Sequence, residues 1–450
     1  MIMQKEVRKL EICDVGPVKA VKFDVNKINL FIGPQGSGKS TIAKIISFCF
    51  WLEKNAILHQ GINHINNDFF NENLLIFHKL DKYFSQKSCI RFSGNIVSFE
   101  YMGRNLIYVK KGDAFETALV SKIAYIPAER VIVTIPEISS VPFPNNCLRN
   151  YIFEWFNIRN KYSLNNKREI ADLGVSYYFN EESKKDILIL QNNKEIELHE
   201  ASSGMQAAVP LYILIDYLSK WIYSNVEDVS FEKKDLVISA MSNMFDQYIN
   251  ESKKNTSKVN KNEEYESRKN ELMKQLMNLS IEIQSDKTIK DEFFKDLTTG
   301  RYYSLSERLS FSHFSNIIIE EPELNLFPET QSSLVYSILK SIDQDRDNIV
   351  ITTHSPYILY ALNNCMQAWI ANKNDPESMR SLIGELSFDM DSFVDPKKVS
   401  VWELEDGRFK KYNDRSNGTI QDDSGLIRKN YFDTIMQNVM SDFSILSSLY

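Results

Sequence analysis

The 450-residue sequence has no CxxC pair, no signal-like N-terminus, no long apolar run, no internal repeat and no excess of positive charge. Its five cysteines (Cys13, Cys49, Cys89, Cys147 and Cys365) stand far apart. An odd, scattered set excludes a disulfide framework and a cysteine-based zinc site, and fits free thiols in a reducing compartment. The opening stretch MIMQKEVRKLEICDVG scatters charges where a secretory signal has an apolar core. The runs INLFIG and VPLYILIDYL are too short to cross a bilayer. A cytoplasmic protein without membrane contact is the expectation. A net charge of −7 excludes a generally basic nucleic-acid binder and leaves room only for a local patch. What remains is the composition of a folded chain, 43% hydrophobic and 12% aromatic, long enough for one large core or several smaller ones.

Against that background one stretch carries chemistry, LFIGPQGSGKSTIAKI at 30–45. Gly33, Gly38, Lys39 and Ser40 fit G-x-x-x-x-G-K-[ST], between an apolar strand (KINLFIG) and a helix (KSTIAKIISFCFW). Glycines let the backbone of Gly33, Pro34, Gln35, Gly36, Ser37 and Gly38 wrap its N–H groups around phosphate oxygens, and the helix N-terminus at Lys39, Ser40 and Thr41 adds its positive dipole end. ATP is the expected ligand, with Lys39 on the β- and γ-phosphates and Ser40 on Mg²⁺.

Two further strand ends extend this site. In IIIEEPE, Ile317–Ile319 form a buried run that delivers Glu320 and Glu321 at its C-terminal end, where sites of open α/β sheets lie. Alone such a pair reads as a solvated strand end. Beside a phosphate cradle, Glu320 is expected to hold the metal and Glu321 to act as base. IVITTHSP ends in His354, expected to contact the γ-phosphate or the attacking water. A fourth segment, HEASSGMQAAVPLYILIDYL, places Ser202, Ser203 and Gly204 at the start of an apolar helix, which by itself is only an N-cap.

The order cradle, Ser-Ser-Gly-x-Gln, Glu-Glu-Pro, His resembles the ABC-type ATPases, and more narrowly the soluble branch shared by SMC and Rad50 proteins and the overcoming-lysogenization-defect (OLD) family. Ser202, Ser203, Gly204 and Gln206 stand where that branch has its signature, and EEPELNLFP resembles its Walker B and D-loop. AYIPAERV resembles its Q-loop segment, with Glu129 or Arg130 in place of the glutamine. The resemblance implies an α/β, ABC-ATPase-like P-loop fold. It also implies a head-to-tail homodimer or higher homo-oligomer, in which Ser203 touches the γ-phosphate held by the partner's Lys39. Met205 departs from the second signature glycine and Glu320 from the common aspartate.

Three regions are expected. Residues 1–218 form an ATPase lobe with an antiparallel β arm (VSYYFN, DILILQ, KEIELH) after a proline-rich loop at 134–146. Residues 219–303 are an insertion in which Val237, Met241, Met244 and Tyr248, then Leu272, Leu276, Leu279 and Ile283, repeat at heptad-like spacing, as in a helical hairpin or short coiled coil. Residues 304–450 form a second ATPase lobe ending in strands (VSVWELEDG, RFKKYN) and a helix. Asp389 and Asp391 make an Asp-x-Asp, as in the Toprim domain of OLD nucleases, but no apolar strand precedes them and Glu385 is too close for a separate strand.

The chain thus resembles stand-alone ATPase subunits of anti-phage systems of the PARIS and Septu type. That likeness implies a nucleotide-driven scaffold controlling a separate nuclease or toxin under a phage-derived trigger. The alternatives are a DNA repair or end-binding ATPase and an OLD-type nuclease with a degenerate C-terminal domain. The insertion's tip favours nucleic acid only weakly, with seven Lys/Arg against five Glu over 251–274.

Overall fold

The computed structural model describes residues 8–223, 308–309, 311–410, 418–427 and 429–447. The expected hairpin beyond Tyr223 lies outside the described residues.

Fifteen strands are described. β1 (Arg8–Val15), β2 (Val18–Val25), β4 (Phe84–Ser93), β5 (Val97–Met102) and β6 (Asn105–Lys111) form an antiparallel meander. β3 (Ile28–Ile32), β7 (Ser121–Ile126), β12 (Phe314–Glu320), β13 (Asn348–Thr352) and β14 (Val399–Glu405) form a parallel set. The two-residue β15 (Arg408–Phe409) joins them into one eleven-stranded sheet of order β6-β5-β4-β1-β2-β15-β14-β3-β13-β12-β7. Strands from both expected lobes therefore interleave: β3, close to the N-terminus, lies between β13 and β14.

The parallel strands read as continuous apolar runs because both their faces are covered. Ile28, Leu30, Ile32, Ile317, Ile319, Ile349 and Ile351 face one core, and the residues between them, Phe31, Ile318 and Val350, face the other. Helix α1 (Lys39–Leu58) packs on the second face, and α4 (Ser203–Ser219), α5 (Pro328–Ser341) and α6 (Pro356–Asn374) on the first. α1 runs well past the expected Trp51, since apolar residues continue to Leu58.

The expected β arm is present as a separate four-stranded antiparallel sheet: β8 (Arg168–Ile170), β9 (Val175–Asn180), β10 (Lys185–Leu190) and β11 (Glu195–Glu197). Residues 134–146 are loop with short 3-10 turns. Five helices had no forecast: α2 (Asn67–Phe70), α3 (Cys147–Arg159), α5, α6 and α7 (Pro376–Leu382). The forecast strand RFKKYN is reduced to β15, with 411–417 outside the described residues. The terminal helix α8 spans Tyr431–Ser447. No described helix is long and apolar enough to cross a membrane.

Candidate nucleotide site

Strand register assembles the site. Glu320 pairs with Thr352, and Thr352 with Phe31, so β12, β13 and β3 end at one level. The backbone continues that alignment past the strand ends. Glu321 N–H donates to Thr352 O at 2.8 Å and Thr353 N–H to Phe31 O at 3.0 Å. Residues far apart in sequence thus meet at the carboxyl edge of the parallel strands, beside the start of α1. At the tip of the cradle Gly36 adopts a φ of 74° and faces open space. That conformation suits glycine and leaves the loop's concave side free.

Lys39 is buried, and its ammonium donates to Gly33 O at 2.8 Å and Pro34 O at 2.9 Å. It also lies 3.4 Å from His354 Nδ1. On the other side of the imidazole, Nε2 lies 3.4 Å from Glu321 Oε1. An ammonium can only donate, so Nδ1 accepts; Nε2 then carries the proton and faces the carboxylate. This hydrogen bond from His354 is the main reason the Glu321 carboxyl sits below its usual range. Burial lowers Lys39 to about 8, against the pull of Glu321 and Glu323.

Glu321 has a φ of 45°. A non-glycine residue there costs roughly 1–3 kcal/mol and persists only where its surroundings fix it. Glu323, given no role from sequence, is part of that fixing: its Oε1 accepts the His354 backbone N–H at 2.6 Å. Its Oε2 is buried without a partner, and burial raises its pKa.

Glu320 is buried, and its Oε1 has no hydrogen-bond partner, nor does Oγ1 of its register neighbour Thr352. Buried polar atoms are ordinarily satisfied, so an orphaned carboxylate oxygen beside a hydroxyl is a donor set that fits a hard, oxygen-seeking cation.

Comparison with known families gives two matches. An AAA domain matches residues 9–298, more than half of the chain, and an AAA ATPase domain matches residues 310–359, which include Glu320, Glu321 and His354. The chain belongs to the AAA-domain family. A comparison with curated proteins finds no match. Among solved structures, an SMC head bound to the C-winged helix domain of ScpA is similar at 10% identity and a TM-score of 0.33, covering 79% of this chain and 92% of that one. The SMC head domain from Thermotoga maritima gives 11%, 0.33, 79% and 91% in the same terms. The recombination mediator protein RecF with ATPrS gives 12%, 0.29, 90% and 98%.

The remaining forecast residues of this AAA-domain chain divide. Ser202 caps α4, its Oγ accepting Met205 N–H at 3.4 Å, and Ser202 and Ser203 are exposed. Gly204 lies so close to the turn after β12 that a Cβ would stand 2.8 Å from Asn325 O. Among the described residues no hydrogen bond or ion pair joins 202–206 to the chain's own cradle. Gln206, forecast as a contact across an interface, is instead turned inward. Its amide donates to His199 O and Ala201 O at 2.8 Å, and its Oε1 accepts from Thr134 at 3.3 Å. The reason is local: the carbonyls preceding the helix need donors.

Arg130, forecast beside Glu129 as a Q-loop residue, is fully buried and committed to backbone. Nε donates to Ala207 O at 3.0 Å, and the terminal nitrogens donate to Glu320 O, Glu321 O and Pro322 O at 2.9–3.0 Å. Four of its five N–H donors are thus spent on backbone carbonyls. Glu129 is exposed. Asp389 precedes and Asp391 lies within a 3-10 turn (Met390–Ser392) rather than a strand end, and Asp389 pairs with Lys340.

Proposed function

We propose that this chain binds ATP with magnesium in the Gly33–Thr41 cradle, hydrolyses it as a head-to-tail homodimer or larger homo-oligomer, and passes the resulting change to a separate nuclease or toxin in anti-phage defence. The observation that carries the catalytic part is the Lys39–His354–Glu321 relay across three strand ends. Bound magnesium, held by Ser40 and Glu320, supplies charge neutralisation on the phosphates.

The chain's own groups account for the rest. Without ligand, Lys39 is held by its loop carbonyls and by His354, and His354 in turn holds Glu321. A γ-phosphate is a stronger acceptor for the ammonium and for the imidazole N–H. Drawing those donors away frees Glu321, whose pKa then rises from its depressed value toward that of a useful base for water. The exposed start of α4, unconnected to its own cradle, supports completion of the site by a second copy, with Ser203 facing the partner's phosphate. The effector role rests on motif style, and no group of three or more His, Cys, Asp or Glu that could hold a nuclease metal is found among the described residues.

Phosphate release from ATP by the purified chain, with and without magnesium, tests the catalytic reading, and co-purification with the products of neighbouring genes tests the effector. A chain that binds ATP and releases no phosphate at any concentration would refute hydrolysis.

A further inference from the structure

The eleven-stranded sheet ends at β7, whose outer edge has no partner strand among the described residues. A cavity of about 640 Å³ opens there between α1 and α3, within the range of small-ligand sites. It is not the cradle: it is lined by the flank of α1 at Ser47, Trp51 and Lys54, two or more turns beyond Lys39.

Two side chains in it are built for something not otherwise present. His78 is 2% exposed and lines the cavity, and its Nδ1 has no hydrogen-bond partner. Burial holds this imidazole neutral, with a pKa of about 3. An unsatisfied buried nitrogen is costly, about 1–3 kcal/mol, unless a ligand or water completes it. Lys54 has neither ion pair nor hydrogen bond among the described residues, and burial lowers its amine to about 8. Glu154, which lines the same cavity, favours its charge only from beyond ion-pair distance, and a half-buried ammonium without a direct partner is a ready anion contact. Lys122, by contrast, is already paired with Glu154 at 2.5 Å.

The walls add ring faces, Trp51 and Phe77 among them. One unpaired cation, one unsatisfied imidazole nitrogen and aromatic walls together suit a flat ring carrying one anionic group. We propose that this cavity is a second ligand site, separate from the ATP cradle, for a nucleoside monophosphate, with its phosphate on Lys54 and its base against Trp51 and Phe77 and within reach of His78 Nδ1. Tyr125 lines the same cavity, and burial, then the Glu320 carboxylate, raises its pKa well above the usual value.

The test is calorimetric titration of the full chain carrying Lys39→Ala, which disables the cradle. The probes are AMP, GMP, CMP and UMP, with inorganic phosphate and adenosine as controls. At least one monophosphate should bind more tightly than phosphate or adenosine alone. Adding Lys54→Ala or Lys54→Gln should weaken it at least tenfold, and His78→Phe several-fold, in proteins whose thermal unfolding matches the parent. Failure of all four monophosphates to bind would overturn the proposal. So would unchanged affinity in both Lys54 variants, or phosphate binding as tightly as the best monophosphate.

Discussion

The starts of α1 and α4 have much in common: each is a helix N-terminus with serine beside glycine. Their surroundings differ. At α1, Lys39 is buried and met by His354 and by the field of Glu321 and Glu323 from two other strand ends. At α4, Ser202 and Ser203 face solvent, and Gln206 is spent on carbonyls of its own loop. The same local device thus stands in two settings. In the proposed function, the enclosed start serves the reaction centre and the exposed start meets a second copy.

The sharpest way to break that comparison is at Lys39. Lys39→Ala removes the only cation the relay brings to the cradle, and phosphate release should fall by roughly 10³-fold, the order seen when a principal charge stabiliser is lost. Turnover within a factor of ten of the parent would show that the enclosed helix start is not the reaction centre.

Glu321→Gln should lower turnover by about 10²-fold or more while ATP stays bound, because shape survives and basicity does not. Filter-retained nucleotide and phosphate release, measured together, check this. If the variant binds no ATP while Glu320→Gln hydrolyses normally, the roles of the pair are reversed. Glu321→Gly adds an independent reading: removing the side chain relieves the left-handed backbone and should raise Tm while abolishing turnover.

Ser203→Arg addresses the exposed start. It should leave nucleotide binding intact and cut turnover tens-fold. Mixing it with the Lys39→Ala protein should restore part of the activity, since one composite site in the mixed dimer keeps both intact faces. Absence of recovery at every mixing ratio would return the serine to simple helix capping.

The smallest expected effect is on pH. Folding lowers Lys39 from 10.5 to about 8, so the folded chain disfavours the charged amine. The resulting penalty is present below pH 8 and is relieved as pH rises from 8 toward 10.5. Ligand-free parent protein should therefore gain a few degrees in Tm relative to Lys39→Met between pH 8 and 10. A constant gap would mean that the amine is not desolvated.

Much of the candidate site was legible in the sequence because its parts are contiguous. A buried strand that ends in glycine or a polar residue can be read from one short window, and KINLFIG, IIIEE and IVITTH each show that pattern. Register, which levels their ends, cannot be read that way. Glu323 escaped notice because its partner is a backbone N–H thirty-one residues away. Arg130 was misplaced because four carbonyls from two distant segments claim it. Gln206 was assigned outward because a helix-start glutamine gives no hint of which way it will turn. In the small sheet, β9, β10 and β11 were visible in the runs VSYYFN, DILILQ and KEIELH, whereas β8, with the sequence Arg-Glu-Ile, has a single apolar residue and shows no alternation.

The Arg130 fork has a mechanical consequence. One side chain grips α4 through Ala207 and the acidic turn through three successive carbonyls, and Tyr151 in turn donates to its own carbonyl at 3.0 Å. Helix and turn are therefore yoked. In the proposed homo-oligomer, a second copy pressing on the exposed start of α4 would act through this one side chain on the peptide units that carry Glu320 and Glu321.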